Sequence, residues 1–334
     1  MKLSILDQSP ISVGQTAQQA LQASMKLAQA GEQLGYIRYW IAEHHNFPGL
    51  TCPAPEVMLS YIGAQTRKIR IGAGAVLLPH YKPYRVAETY NLLATLFPGR
   101  IDLGVGRAPG GSAEATMALS ENFLANVRKM PDFVTELLHF LNNDYPADHM
   151  FSKISAYPVP ETSPVPWILG TSERSALLAA EKRTAYAFGH FMSDKNGPDI
   201  VNTYRKQFKS GNSQKQPEVI VAASVICAET NEKAEELALP VILWRRQNSK
   251  GEGNYGVPAL EEAQLYFSKE DRAQILNDAK NKMIIGDPNT VKRELLKLQE
   301  VYGADEIMVV TLTHDYGDRI KSYELLAKEM VSND

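Results

Sequence analysis

Residues 39–45 read Tyr39-Trp40-Ile41-Ala42-Glu43-His44-His45. A short apolar run ends abruptly in a carboxylate and two imidazoles. Charge at the edge of a core is paired or put to use, because stripping it of water is costly. Similar endings recur. Ile101-Asp102-Leu103-Gly104-Val105 closes on Gly106-Arg107, Ala185-Tyr186-Ala187-Phe188 is closed by His190, and His314 follows Ile307-Met308-Val309-Val310-Thr311. Polar groups at the C-terminal ends of several apolar strands, with helices between them, are the pattern of a barrel whose active site sits on that face.

Working outward, strand and helix signals alternate along the whole chain. Strands are expected at Leu3–Leu6, Ile37–Ala42, Ile69–Leu78, Ile101–Gly106, Pro166–Gly170, Ala185–Phe188, Val219–Ala228 and Glu306–Thr311. Helices are expected at Thr16–Leu34, Pro55–Thr66, Arg85–Phe97, about Ser112–Leu141, Ser172–Glu181, Pro198–Lys209 and Tyr316–Met330. Alternation of this kind implies parallel strands with helical crossovers. Eight such units favour a closed (β/α)8 TIM barrel over an open sheet. The expected architecture is therefore one α/β barrel domain spanning residues 1–334. Two segments break the rhythm: polar, proline-rich Asn142–Ser163, and an insertion from about Trp244 to Asp305 between strands seven and eight. The insertion carries helical patterns at Glu261–Asn281 and Asn289–Val301.

Composition narrows the function. The 334 residues are 44% hydrophobic and 22% charged, ordinary for a globular protein with a sizeable core. A net charge of −3 gives no electrostatic footprint for nucleic acid or an anionic membrane. Lys2-Leu3-Ser4-Ile5-Leu6 runs straight into Asp7-Gln8, without a signal-peptide pattern, and no apolar run reaches membrane-spanning length. A cytoplasmic location is expected. Cys52 and Cys227 lie far apart, without a paired motif or a basic cluster, and are expected to be reduced core residues.

Four motifs carry chemistry, each with a bland alternative. Adjacent strand residues face opposite ways, so only one of His44 and His45 can serve a barrel mouth. The alternative is a hydrogen-bonded polar cluster at a strand end. A metal site would need further ligands such as His190 or His314, and the spacing is not that of a metal site. Gly72-Ala73-Gly74-Ala75 leaves room for a flat group near the backbone, or allows tight packing. Gly104-Val105-Gly106-Arg107 lacks the third glycine of a dinucleotide fingerprint, whereas Arg107 itself suits an anion clamp or a structural ion pair. Leu169-Gly170-Thr171-Ser172-Glu173-Arg174-Ser175 runs from strand to helix through hydroxyl residues. Free N–H groups there form a phosphate site, or the serine is a simple cap.

Together these pieces resemble the bacterial luciferase-like monooxygenases, most closely their FMN-type oxidoreductases. The resemblance runs along nearly the whole chain. It rests on Ala42-Glu43-His44-His45, on Gly72 to Pro79, on Leu96 to Gly110, on Leu169-Gly170-Thr171-Ser172 and on Ala187-Phe188-Gly189-His190-Phe191. It ends with Ile285-Gly286-Asp287-Pro288 and Gly303 to Met308.

The resemblance implies a barrel that binds reduced FMN at its C-terminal face and uses O2 on a small organic substrate. By it, Arg107 with Thr171, Ser172 and Ser175 matches the phosphate site, and His44 matches the catalytic histidine. Gly74-Ala75 matches a non-proline cis peptide, and His190 falls among the cofactor-binding positions. It also implies a homodimer. Gly106 stands where the luciferase catalytic chain carries a reactive cysteine, so flavin chemistry without light emission is expected. No metal is expected. No nicotinamide-binding fold is legible, so a separate NAD(P)H-dependent flavin reductase is the expected partner. Three alternatives stay open from sequence: a deazaflavin-dependent hydride-transfer enzyme of the same fold, a metal-dependent barrel hydrolase, and a non-catalytic flavin-binding protein.

Overall fold

The computed structural model describes residues 1–47, 49–208, 216–252 and 256–331. Nine strands form a single, all-parallel sheet among these residues: β1 (Leu3–Asp7), β2 (Arg38–Ile41), β3 (Arg70–Leu77), β4 (Ile101–Gly106), β5 (Val165–Gly170), β6 (Ala185–Gly189), β7 (Val219–Cys227), β8 (Met283–Gly286) and β9 (Glu306–Val310). Pairing of β6 with β7, of β7 with β9 and of β9 with β1 closes eight of them into the expected barrel.

The helices are α1 (Ala17–Gln33), α2 (Pro55–Gln65), α3 (Pro83–Leu96), α4 (Ala113–Leu119), α5 (Phe123–Arg128), α6 (Met130–Asn142), α7 (Glu173–Glu181), α8 (Gly197–Gln207), α9 (Asn231–Ser249), α10 (Leu260–Tyr266), α11 (Arg272–Lys280), α12 (Pro288–Tyr302) and α13 (Tyr316–Met330). Local chemistry sets their ends. Thr16 and Gln19 exchange hydrogen bonds in a capping box that starts α1. Asp287 caps α12 with Pro288 behind it, and Gly303 ends that helix at φ +58°. Lys209, the expected end of the helix after β6, lies outside the described residues. None of the helices described is long and apolar enough to cross a membrane.

The structure corrects the sequence expectation in four places. The single long helix expected over 112–141 is three helices, and that expected over 261–281 is two. Residues 231–249 form α9 with Pro240 inside it, where a missing N–H interrupts the ladder. The insertion also contributes a ninth strand. β7 is nine residues long; its first part pairs β6 and β9, and Ser224–Cys227 pairs β8 outside the barrel.

Inside the barrel, Trp40 and Trp167 meet edge to face at 5.4 Å, with Leu6, Ile220, Met308 and Val310 around them. Below them sits a buried ion cluster. Arg38 donates to Asp102 at 2.9 Å and to both oxygens of Glu306, while Arg70 and the Trp40 indole also reach Asp102. This cluster plugs the N-terminal end, so the open end is the one that carries the polar strand termini.

Candidate active site

A cavity of about 360 Å³ opens at the C-terminal mouth of the barrel, within the usual range for ligand pockets. Leu6, Trp40, Phe191 and Met308 give it apolar walls. Of the residues singled out from sequence, His44, Gly74, Ala75, Arg107, Thr171 and Ser172 line it. Ser175 does not. It stands one turn behind, buried, and completes a capping box with Ser172 while meeting the Tyr186 hydroxyl at 3.0 Å. His190 does not line the cavity either. Its Nδ1 pairs with the Tyr302 hydroxyl at 3.0 Å on α12, while its neighbours Gly189, Phe191 and Met192 face inward.

The anion clamp and the helix N-terminus come together. Arg107 follows β4, Ser172 caps α7 after β5, and Arg107 Nη2 lies 3.3 Å from Ser172 Oγ. A helix N-terminus concentrates unpaired N–H groups and positive potential, and the guanidinium adds a full charge. Gly170 allows the tight turn, since a Cβ there would stand 2.6 Å from that of Ser175. The Gly74-Ala75 peptide is cis. The choice left open for this strand falls largely to packing. A Cβ on Gly72 would meet that of Asp102 at 2.7 Å, and one on Gly74 would meet Leu6 at 2.8 Å.

His44 and His45 face apart. His44 enters the cavity, its backbone N–H held by the Cys52 carbonyl and its ring packed edge-on against Phe47 at 5.7 Å. Its Nδ1 is buried with no hydrogen-bond partner among the described residues. Burial first, and the neighbouring His45 second, pull its pKa down to about 4. At neutral pH it is an uncharged imidazole. Glu43 does not orient it. The Glu43 carboxylate accepts from the Tyr81 hydroxyl and the Leu77 N–H, and pairs with His45 Nε2 at 2.7 Å. His45 thus belongs to the scaffold, tying the ends of β2 and β3.

Elsewhere, His314 Nδ1 pairs with the Val257 carbonyl in the insertion. Among the described residues no three His, Cys, Asp or Glu side chains converge as a metal ion requires. Both cysteines are buried, and burial pushes their thiols up to about 12. Sequence reasoning missed the apolar walls, which no polar signal marks, and a second cavity of about 330 Å³. This one shares His44 with the first and is bounded by Ile11, Phe47, Leu50 and Thr51.

Residues 1–305 match the family model for luciferase-like monooxygenase. YwcH of Bacillus subtilis is 43% identical, covering 98% of both chains. The N-acetyl-S-alkylcysteine monooxygenase of the same organism is 35% identical over 99% of both. The crystal structure of apo-MsnO8 superposes with a TM-score of 0.89 at 33% identity, covering 98% of both chains. At the level of fold alone, two further structures share the barrel. One is the oxygenating constituent of 3,6-diketocamphane monooxygenase from Pseudomonas putida in complex with FMN, 20% identical with a TM-score of 0.71 over 98% of this chain and 97% of that one. The other is an F420-dependent secondary alcohol dehydrogenase, 15% identical with a TM-score of 0.72 over 99% of both. The chain belongs to the luciferase-like monooxygenase family.

Proposed function

We propose that this protein is an FMN-dependent monooxygenase that uses reduced FMN and O2 on a small organic substrate. The observation that carries this is the pairing of Arg107 with the N-terminus of α7 at the rim of an apolar cavity. A flavin mononucleotide needs a dianion site beside an apolar slot for its ring, and the residues present fit both needs. Arg107, Thr171 and Ser172 would hold the phosphate, with Ser175 bracing Ser172 from behind. Gly74, Ala75 and Gly106, which line the same cavity, would leave room for the ring.

Reduced FMN, when bound, supplies the two electrons with which one oxygen atom enters the substrate and the other leaves as water. The chain's own part is positioning, exclusion of water and proton handling. Leu6, Trp40, Phe191 and Met308 keep the cavity apolar. His44, uncharged at neutral pH, can accept a proton at one ring nitrogen or donate from the other.

The relative named for N-acetyl-S-alkylcysteines makes small thioether derivatives of amino acids the first substrates to try. A homodimer is also proposed. Val57 and Tyr61 on α2, with Leu92 and Leu96 on α3, are exposed apolar residues on two helices packed side by side. The test of function is a titration of purified protein with FMN, riboflavin and F420, followed by turnover with reduced FMN, O2 and N-acetyl-S-methylcysteine. Micromolar or tighter FMN binding with an oxygenated product is expected. Selective F420 binding would replace this assignment with hydride transfer.

A further inference from the structure

Arg245 carries a charge that no acid in the described structure answers. It lies on α9 between Trp244 and Arg246. Arg246 pairs with both oxygens of Glu270, at 2.7 and 2.8 Å. Arg245 points elsewhere, and its Nη2 donates to Ser224 Oγ at 3.2 Å. Burial pulls its pKa below the usual arginine value, with no acidic neighbour acting the other way. Arg245 is half-buried, whereas the fully buried guanidinia are answered, Arg38 by Asp102 and Glu306, and Arg319 by Asp7. A guanidinium keeps its proton at neutral pH, and a serine hydroxyl does not neutralise it.

The position of Ser224 gives this charge a purpose. Alternation along β7 puts Ile220, Ala222, Ser224 and Ile226 on one face. Ile220 and Ala222 belong to the barrel interior, and Ala222 lines the cavity. Ile226 belongs instead to the core of the insertion, with Trp244. Ser224, met by Arg245 from α9, therefore stands one register step beyond the cavity wall at Ala222, between it and the core of the insertion at Ile226. The phosphate clamp sits at the ends of β4 and β5, and β6 separates these from β7. One FMN phosphate cannot serve both places.

We propose that Arg245, with Ser224, binds the carboxylate of the organic substrate, so that the substrate is a small organic acid whose other end reaches toward His44. A planar fork over a planar carboxylate is the geometry a guanidinium serves best. The role of the reacting end rests on the flavin monooxygenase assignment; the anion site does not.

The experiment is an equilibrium titration, followed by tryptophan fluorescence because Trp244 adjoins the site. Apo and FMN-loaded protein are titrated with two matched pairs, N-acetyl-S-methylcysteine with its carboxamide, and butyrate with butyramide. The wild type is expected to prefer at least one acid over its amide by tenfold or more. Arg245→Met should abolish that preference while changing FMN affinity less than twofold, and Arg245→Lys should retain part of it. Failure of both acids to outbind their amides would overturn the proposal, as would an undiminished preference in Arg245→Met. A preference that persists in a protein unable to bind FMN would sink the flavin assignment and leave the anion site standing.

Discussion

The Glu43 carboxylate lies 2.7 Å from His45 Nε2 and leaves the adjacent His44 ring without a charged partner. Two neighbouring histidines are thereby given opposite work. His45 is fixed into a hydrogen-bonded corner with Tyr81 and the Leu77 N–H, and His44 is left buried and uncharged at the cavity.

His44→Gln should keep FMN affinity within about twofold and slow turnover by roughly 100-fold, the scale of a lost acid–base group. The pH dependence of stability gives a second readout. An unfolded histidine titrates near 6.5, and His44 in the fold near 4. Between those values the unfolded chain binds more protons. The contribution is therefore whole above about pH 6.5, is lost as pH falls toward 4, and loses nothing further below that. The full span is on the order of 3 kcal/mol. Urea midpoints of wild type and variant, measured from pH 4 to 7, should diverge in slope; parallel curves would refute the assignment.

Arg107→Ala should weaken FMN binding about tenfold or more, since a charge-assisted contact contributes roughly 1.5–3 kcal/mol. Riboflavin, which has no phosphate, should lose far less. Fluorescence titration of both ligands decides the matter. Equal losses would move the phosphate away from Arg107 and Ser172.

The fold was legible where buried parallel strands read as apolar runs and helices as amphipathic stretches, which covers all eight barrel strands. Met283–Gly286 escaped because four apolar residues have no period of their own. The helix at 231–249 escaped because Pro240 sits inside it and tertiary packing overrides its cost. The strand-end site was legible for a local reason: His44, Arg107, Thr171 and Ser172 each fall within two residues of the end of an apolar run. Arg245 was not, since it meets Ser224 of β7 from an insertion helix far along the chain. Nor could sequence tell which histidine Glu43 would hold, because that depends on side-chain direction at an irregular strand end.

Arg38 should be essential to stability. It is buried between Asp102 and Glu306, with Arg70 as a second partner for Asp102 alone. Arg38→Met strands the buried Glu306 carboxylate and should cost about 3–5 kcal/mol, read as a lower urea midpoint. Adding Glu306→Gln removes the stranded charge and should recover a large part of the loss. A double variant no more stable than the single one would show that packing against Trp167, where the guanidinium lies 4.8 Å from the ring centre, matters more than charge.

The last prediction concerns the source of electrons. Every strand of the described structure belongs to the one barrel sheet, so a second, doubly wound nucleotide-binding sheet is not found among the described residues. The insertion between β7 and β9 brings one strand and four helices, and β8 joins the barrel's own β7. We therefore expect reduced FMN to come from a separate NAD(P)H-dependent reductase. A nicotinamide could reach the flavin by stacking on it at the barrel mouth, against walls such as Phe191 and Met192. Mixing the FMN complex anaerobically with millimolar NADH or NADPH should leave the flavin oxidised for minutes. Adding a catalytic amount of a flavin reductase should bleach it within seconds. Rapid bleaching by the nicotinamide alone would make this a self-sufficient enzyme and remove the need for a partner.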